Sequence, residues 1–162
     1  MMILLIWGIN DEIKYELSLI PKEYSEKTAT EDGCFVIAHD GLKSEISIMD
    51  TFVSDSKNKK SSSIIIVHYS DEGDPILIKV VYNGHKYYGI VDNTRDEFSS
   101  QRNTGYRKFK YKYLKGFEVN DRISYYLTND NNLTNEDILQ SWASCQSNDW
   151  IDMEYLCSYK TK

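Results

Sequence analysis

The chain has 162 residues, 41% of them hydrophobic and 27% charged, and its formal net charge is −6. These values are typical of one soluble globular domain, and the negative charge argues against a protein that coats nucleic acid. Three dispersed cysteines without a CxxC pair argue against a disulfide framework and against a cysteine zinc site. Free thiols are the simple interpretation, and a Cys145–Cys157 bridge is the alternative for an exported protein.

The first nine residues, MMILLIWGI, are apolar and uncharged. They are too few to cross a bilayer, which takes a helix of about 20 residues. Two interpretations stay open, the remnant of a signal peptide and a buried first strand. Residues 11–20 then space their apolar side chains as a helix does, which predicts a short helix or a tether. Residues 22–33 are polar and predict a linker or a surface loop.

Two strands and a helix are indicated in the first half of the chain. Residues 34–39 form an apolar run of strand type. Residues 43–53 repeat apolar side chains at intervals of three and four, which predicts an amphipathic helix. Ile64 to Val67 are four consecutive β-branched residues, a pattern typical of a central strand covered on both faces.

Two turn signals divide the region that follows. The first, Asp71 to Pro75, combines glycine, proline and aspartate, each of which favours a turn. The second, Asn83-Gly84, predicts a type I′ hairpin turn, in which both central residues need a positive φ. Residues 76–82 and 86–91 should therefore pair as antiparallel strands.

The second half continues the sheet. Residues 92–105 are polar and predict a long loop, residues 106–114 and 118–128 predict strands, and Lys115-Gly116 predicts the turn between them. Thr134 to Asp137 resembles a capping box, which predicts a short helix over residues 135–145. Residues 150–156 predict a last strand or a docked turn.

These elements together predict an α+β fold. We expect an antiparallel β-sheet meander of about five to seven strands, with one amphipathic helix packed on a face and a short C-terminal helix. The expected organisation has three parts. Residues 1–23 are an N-terminal apolar segment or signal remnant, residues 24–130 are the α+β core domain, and residues 131–162 are a C-terminal extension.

The central block resembles a bacterial family catalogued as domain of unknown function 4362. The likeness covers about residues 24–130, and its most specific part is Glu72 to Ile76 (EGDPI). Residues 33–41, 64–70, 82–84, 92–98 and 125–128 also carry it. Members are mostly small exported lipoproteins of Gram-positive bacteria, so the resemblance implies an exported protein of the cell envelope, with membrane association through the N-terminus. No cysteine precedes Cys34 to accept a lipid, and a cytoplasmic location is the alternative.

A basic stretch, residues 102–115 (RNTGYRKFKYKYLK), stands out. It carries six positive charges and no acid, and because the whole chain carries −6, the remainder carries −12. On a strand, Lys108, Lys110 and Lys112 would share one face and the intervening aromatic residues the other. This pattern favours an anion-binding face for phosphate, an acidic partner or anionic lipid. The candidate ligand-binding residues are Arg95, Arg102, Arg107, Lys108, Lys110 and Lys112.

The same pattern has a purely structural interpretation. The aromatic residues would pack into the core, and the lysines would form a solvent face that prevents pairing with other sheets. Exposed aromatic residues could instead stack on bases, although we expect no nucleic-acid partner.

Other constellations are weaker candidates. The acidic turn Asp71, Glu72 and Asp74 could bind Ca²⁺, but the EF-hand pattern is absent and a solvated turn is simpler. The three histidines are His39, His68 and His85, and a pairing of Cys34 with His39 would need a hydrogen bond that sequence does not specify. No GxSxG, HExxH or phosphate-loop motif occurs. We therefore expect no catalytic residue, cofactor or metal.

Three functions are compatible with these features. The first is a non-catalytic binding module of the bacterial cell envelope that presents the basic strand to an anionic protein or ligand. The second is an intracellular inhibitor or immunity-type protein whose acidic remainder covers a basic partner surface. The third is an enzyme in which the acidic turn and a histidine perform metal-assisted hydrolysis.

Overall fold

The structure, a computed structural model, describes residues 8–97, 105–144 and 150–161. Within these ranges the helices are α1 (Ile9–Ser18), α2 (Glu26–Glu31), α3 (Ile46–Lys57) and α4 (Asn135–Ala143). The strands are β1 (Phe35–Ala38), β2 (Gly41–Leu42), β3 (Ser62–Tyr69), β4 (Pro75–Tyr82), β5 (Tyr87–Asp92), β6 (Tyr106–Tyr111), β7 (Tyr113–Val119), β8 (Arg122–Thr128) and β9 (Met153–Lys160).

The strands form two sheets. Sheet A has the order β2-β1-β3-β4-β5-β6, and sheet B has the order β7-β8-β9. Consecutive antiparallel pairing from β3 to β6 and from β7 to β9 confirms the predicted α+β class. The described strands exceed the expected number and divide between two sheets instead of one. One pair, β1 with β3, is parallel, because α3 carries the chain back across the sheet between them.

Sheet A is covered on both faces. Helices α1 and α2 cover one face, where Leu17 and Ala29 pack with Val67 of β3. Helix α3 and sheet B cover the other face, where Met49 packs with Ile66. Strand β3 thus contributes side chains to both cores, as its run of β-branched residues predicts. A smaller core lies between sheet B and α4.

Short sequence patterns predicted the positions of several helices and turns correctly. The capping box is present at α4, where the hydroxyl of Thr134 accepts from the backbone N–H of Asp137. Helix α3 starts later than predicted, because Lys43 still donates its backbone N–H to the carbonyl of Val36 in β1 (2.9 Å). The Asn83-Gly84 hairpin joins β4 to β5. It is a four-residue connection in which Gly84 alone has a positive φ (+90°), so the predicted type I′ turn is wrong.

Two predictions for loops are also wrong. The polar segment 22–33 contains α2, which Ser25 caps by accepting from the N–H of Thr28 (3.1 Å) and which buries Ala29. Lys115-Gly116 lies inside β7, and the reversal occurs at Asn120, whose φ is +58°. Gly116 is needed there for space, since a Cβ would lie 2.8 Å from the ring of Tyr125.

Strand β9 crosses sheet A and contains a bulge at Leu156. Nε2 of His68 on β3 lies 2.6 Å from the carbonyl oxygen of Leu156. Because a carbonyl only accepts, this nitrogen carries a proton, and a neutral imidazole can supply it. Burial lowers the pKa of His68 below its usual value. The two sheets are therefore joined by a hydrogen bond that does not require a charged imidazole.

Some sequence predictions lie outside the described residues. The choice between a signal remnant and a first strand concerns residues 1–9, of which only Gly8 and Ile9 are described. Cys145 also lies outside them, whereas Cys34 and Cys157 are buried free thiols.

The packing of β5 on β6 predicts a large effect of Gly89→Ala. A Cβ at Gly89 would lie 2.1 Å from the ring of Phe109 and 2.5 Å from the carbonyl of Lys79. Overpacking of this kind costs about 1–3 kcal/mol or more, and we expect that loss in urea unfolding. Gly8→Ala is the control, because its Cβ would meet nothing closer than 3.7 Å. Equal losses in the two variants would contradict this account of the β5–β6 packing.

The His68 contact predicts a pH dependence of stability. The pKa of His68 is lowered in the folded protein, so the unfolded chain binds more protons below about pH 6.5. The contribution of His68 to the free energy of unfolding is complete above that pH. It is lost as the pH falls through the pKa that His68 has in the folded protein. His68→Gln keeps an N–H donor but cannot titrate, so its free energy of unfolding should fall less between about pH 7 and about pH 5. A profile of His68→Gln equal to that of the wild type would exclude His68 as the titrating group.

Candidate functional site

The most distinctive surface lies on β6, the edge strand of sheet A. Phe109 and Tyr111 are each 8% exposed and pack into the core shared with sheet B. Lys108 and Lys110 alternate with them and are exposed. The predicted division into an aromatic face and a lysine face is therefore present from Lys108 to Tyr111. Because the aromatic rings are buried, they offer no platform on which bases could stack.

The alternation ends at Lys112. This residue lies at a bend between β6 and β7, and its backbone N–H donates to the carbonyl of Thr128 on β8 (3.3 Å). Its side chain is exposed, like those of Lys108 and Lys110. We call these three residues, Lys108, Lys110 and Lys112, the lysine strip. The strip thus spans the junction of the two sheets and does not lie on a single strand.

The ammonium groups of the strip make weak, exposed contacts. Nζ of Lys108 lies 3.9 Å from a carboxylate oxygen of Asp11 on α1. Nζ of Lys110 lies 5.2 Å from the ring centre of Tyr88 on β5. Contacts of this kind at exposed sites contribute about 0–1 kcal/mol. The ammonium groups can therefore be redirected to a ligand at little cost.

A cation that the sequence analysis missed lies beside the strip. Lys14 of α1 places Nζ 4.8 Å from the ring centre of Tyr106 on β6. The packing of α1 across sheet A brings it there. Because the two residues are far apart in the chain, no local pattern could have indicated this proximity.

Arg107 is largely neutralised by its neighbour. Its guanidinium forms a bidentate ion pair with the carboxylate of Glu154 on β9. The side chain of Glu154 is buried. The hydrogen bond to Glu154 raises the pKa of Arg107 further. This pair links sheet A to sheet B, so Arg107 is already engaged within the protein.

Arg95 is 6% exposed and bonded internally. One guanidinium nitrogen donates to the carboxylate of Asp92, which is fully buried. The others donate to the carbonyls of Leu17 (3.1 Å) and Ile20 (2.7 Å), at the end of α1, and of Pro21 (3.0 Å). A cation at these carbonyls complements the helix dipole. Arg95 also lines a cleft of about 440 Å³. Arg102, the remaining candidate, lies outside the described residues.

Of the weaker candidates, the acidic turn and one histidine are brought together, whereas Cys34 and His39 have different partners. His39 pairs with Asp71 of the acidic turn (2.8 Å), while the thiol of Cys34 contacts the hydroxyl of Tyr24 (3.5 Å). Burial raises the pKa of the Cys34 thiol. In the described part of the chain, no cluster of three or more His, Cys, Asp or Glu side chains is arranged to hold a metal ion.

The bonds of Arg95 predict a stability difference between two nearby ion pairs. Arg95→Gln leaves the carboxylate of Asp92 buried without its cation and frees the carbonyls at the end of α1. Breaking a buried pair in this way costs about 3–5 kcal/mol, measurable by urea unfolding. Lys22→Gln removes the exposed Lys22–Glu97 pair nearby and should cause no measurable loss. A similarly small loss for Arg95→Gln would show that α1 does not depend on this contact.

In the described ranges, no helix combines the length and apolarity needed to span a membrane.

Comparisons with known proteins give a family but no relative of known activity. No curated protein and no solved structure matches the chain. A family model, described as a domain of unknown function (DUF4362), matches residues 32–126, which is more than half of the chain. The chain therefore belongs to the DUF4362 family.

Proposed function

We propose that this protein is a non-catalytic binding module that presents the lysine strip to an anionic partner. The observation that carries the proposal is the alternation along β6, where Phe109 and Tyr111 are buried while Lys108 and Lys110 are exposed. The aromatic residues fix the strand to the core, and the lysines are therefore held at defined spacing on the surface. Lys14 adds a further positive charge beside them.

Charge polarisation supports this function. The strip belongs to a stretch of six positive charges in a chain whose remainder carries −12. Acidic partners would be attracted to the strip and repelled elsewhere, which selects a binding orientation. Because the ammonium groups are exposed, the attraction should weaken strongly as salt shortens the Debye length, which is about 10 Å at 0.1 M.

A non-catalytic role is supported by the groups that could otherwise perform chemistry. His68 donates to the carbonyl of Leu156, and Cys34 is buried against Tyr24. Each of these contacts joins structural elements. The proposed setting is the bacterial cell envelope, and this part rests on the resemblance of the central block to exported lipoproteins.

Charge reversal of the strip tests the proposal. In the triple variant Lys108→Glu, Lys110→Glu, Lys112→Glu, we expect affinity for polyglutamate to fall at least about tenfold and its salt dependence to flatten. The matched control reverses three exposed lysines elsewhere, Lys22, Lys27 and Lys160, and changes the net charge equally. Titration calorimetry at two salt concentrations measures both effects. Vesicles with and without phosphatidylserine provide a second arm, in which binding confined to the anionic vesicles would identify lipid as the partner.

Unchanged affinity and salt dependence in the triple variant would refute the proposal. An equal loss in the control would show that net charge, and not the strip, governs binding.

A further inference from the structure

We propose that the partner is an acidic, extended peptide segment that pairs with β6 and extends sheet A by one strand. This inference rests on the proposed function and specifies its binding mode. Three features support it: the position of β6 in the sheet, the direction of its side chains, and the charge that these side chains carry.

Strand β6 ends the hydrogen-bonded order of sheet A. All six residues from Tyr106 to Tyr111 are paired with β5 on one side. In an antiparallel strand, roughly half of the backbone N–H and C=O groups point away from that neighbour. Among the described residues, none bonds to these outward groups, and the adjoining backbone bond is the one from Lys112 to Thr128 (3.3 Å). The outer edge can therefore form a ladder with another chain.

The side chains of β6 define what an added strand would need. Side chains directly opposite on paired strands have Cβ atoms about 4.5–5.5 Å apart. Every second residue of the added strand would therefore lie beside Lys108 or Lys110, and acidic residues suit these positions. The residues between them would lie on the side of Phe109 and Tyr111, and apolar residues suit that side. The expected partner alternates acidic and apolar residues.

The same lysines select against other strands. A second copy of β6 would place lysines opposite lysines, and like charges directly opposite destabilise a strand pair. Strand β6 already binds one acidic side chain of the protein itself, because Arg107 forms a bidentate ion pair with Glu154 of β9. The edge therefore discriminates by charge, and it favours acidic strands over neutral strands and over self-association.

The test uses a soluble peptide of alternating glutamate and valine and the same peptide N-methylated at alternate residues. N-methylation removes backbone donors along one edge and leaves every charge in place. We expect the unmodified peptide to bind at least about tenfold more tightly than the methylated one. It should also slow amide hydrogen exchange within residues 106–111. The variant Lys108→Glu, Lys110→Glu should abolish binding, while the control variant Lys27→Glu, Lys160→Glu, which reverses two exposed lysines away from β6, should weaken it less than about threefold.

Equal binding of the two peptides would overturn strand addition and leave the proposed function intact, since binding would then depend on charge alone. Protection located outside β6, or the absence of binding by both peptides, would also overturn it. Failure of the proposed function itself is distinguishable, because polyglutamate is an unstructured polyanion and reports on charge without strand pairing.

Discussion

The bend at Lys112 is the constraint on which the rest of the structure depends. Residues 106–119 form one almost continuous extended run, but the chain leaves sheet A after Tyr111 and enters sheet B at Tyr113. The hydrogen bond from Lys112 to Thr128 fixes where this occurs. Because of the change of sheet, β8 and β9 lie over the face of sheet A that α3 leaves uncovered. Leu127 and Leu156 then complete the shared core.

Buried charges determine how the layers meet. Within the described residues, the buried charged side chains are Lys79, Asp92, Arg95 and Glu154, and each is paired. Lys79 pairs with Glu16 of α1, and Arg95 bonds to the end of the same helix, so both join α1 to sheet A. Glu154 joins sheet B to β6. Buried pairs add little net stability, but a mispaired arrangement would leave a charge without a partner. These pairs therefore favour one arrangement of the layers.

Elements whose cause is local could be predicted from the sequence, and elements whose cause is distant could not. The Asn83-Gly84 reversal, the β-branched run of β3 and the capping box at Thr134 each depend on a few neighbouring residues. The parallel pairing of β1 with β3 and the position of β9 depend on contacts between segments far apart in the chain. A local hydrophobic pattern does not indicate such contacts. For the site, the alternation on β6 was predictable. The partners of Arg95 and Arg107 were not, because helix α1 and strand β9 supply them.

The electrostatic character of the basic surface is decided by segments outside the matched family region. Residues 32–126 contain β6 but neither α1 nor β9. Helix α1 adds the cation of Lys14 beside Tyr106 and the carboxylate of Asp11 beside Lys108. Strand β9 supplies Glu154, which neutralises Arg107. The matched region therefore provides the lysines and the strand that orders them, whereas the flanking elements determine which positive charges remain available. The net charge that a ligand meets is a property of the assembled fold and not of the basic stretch alone.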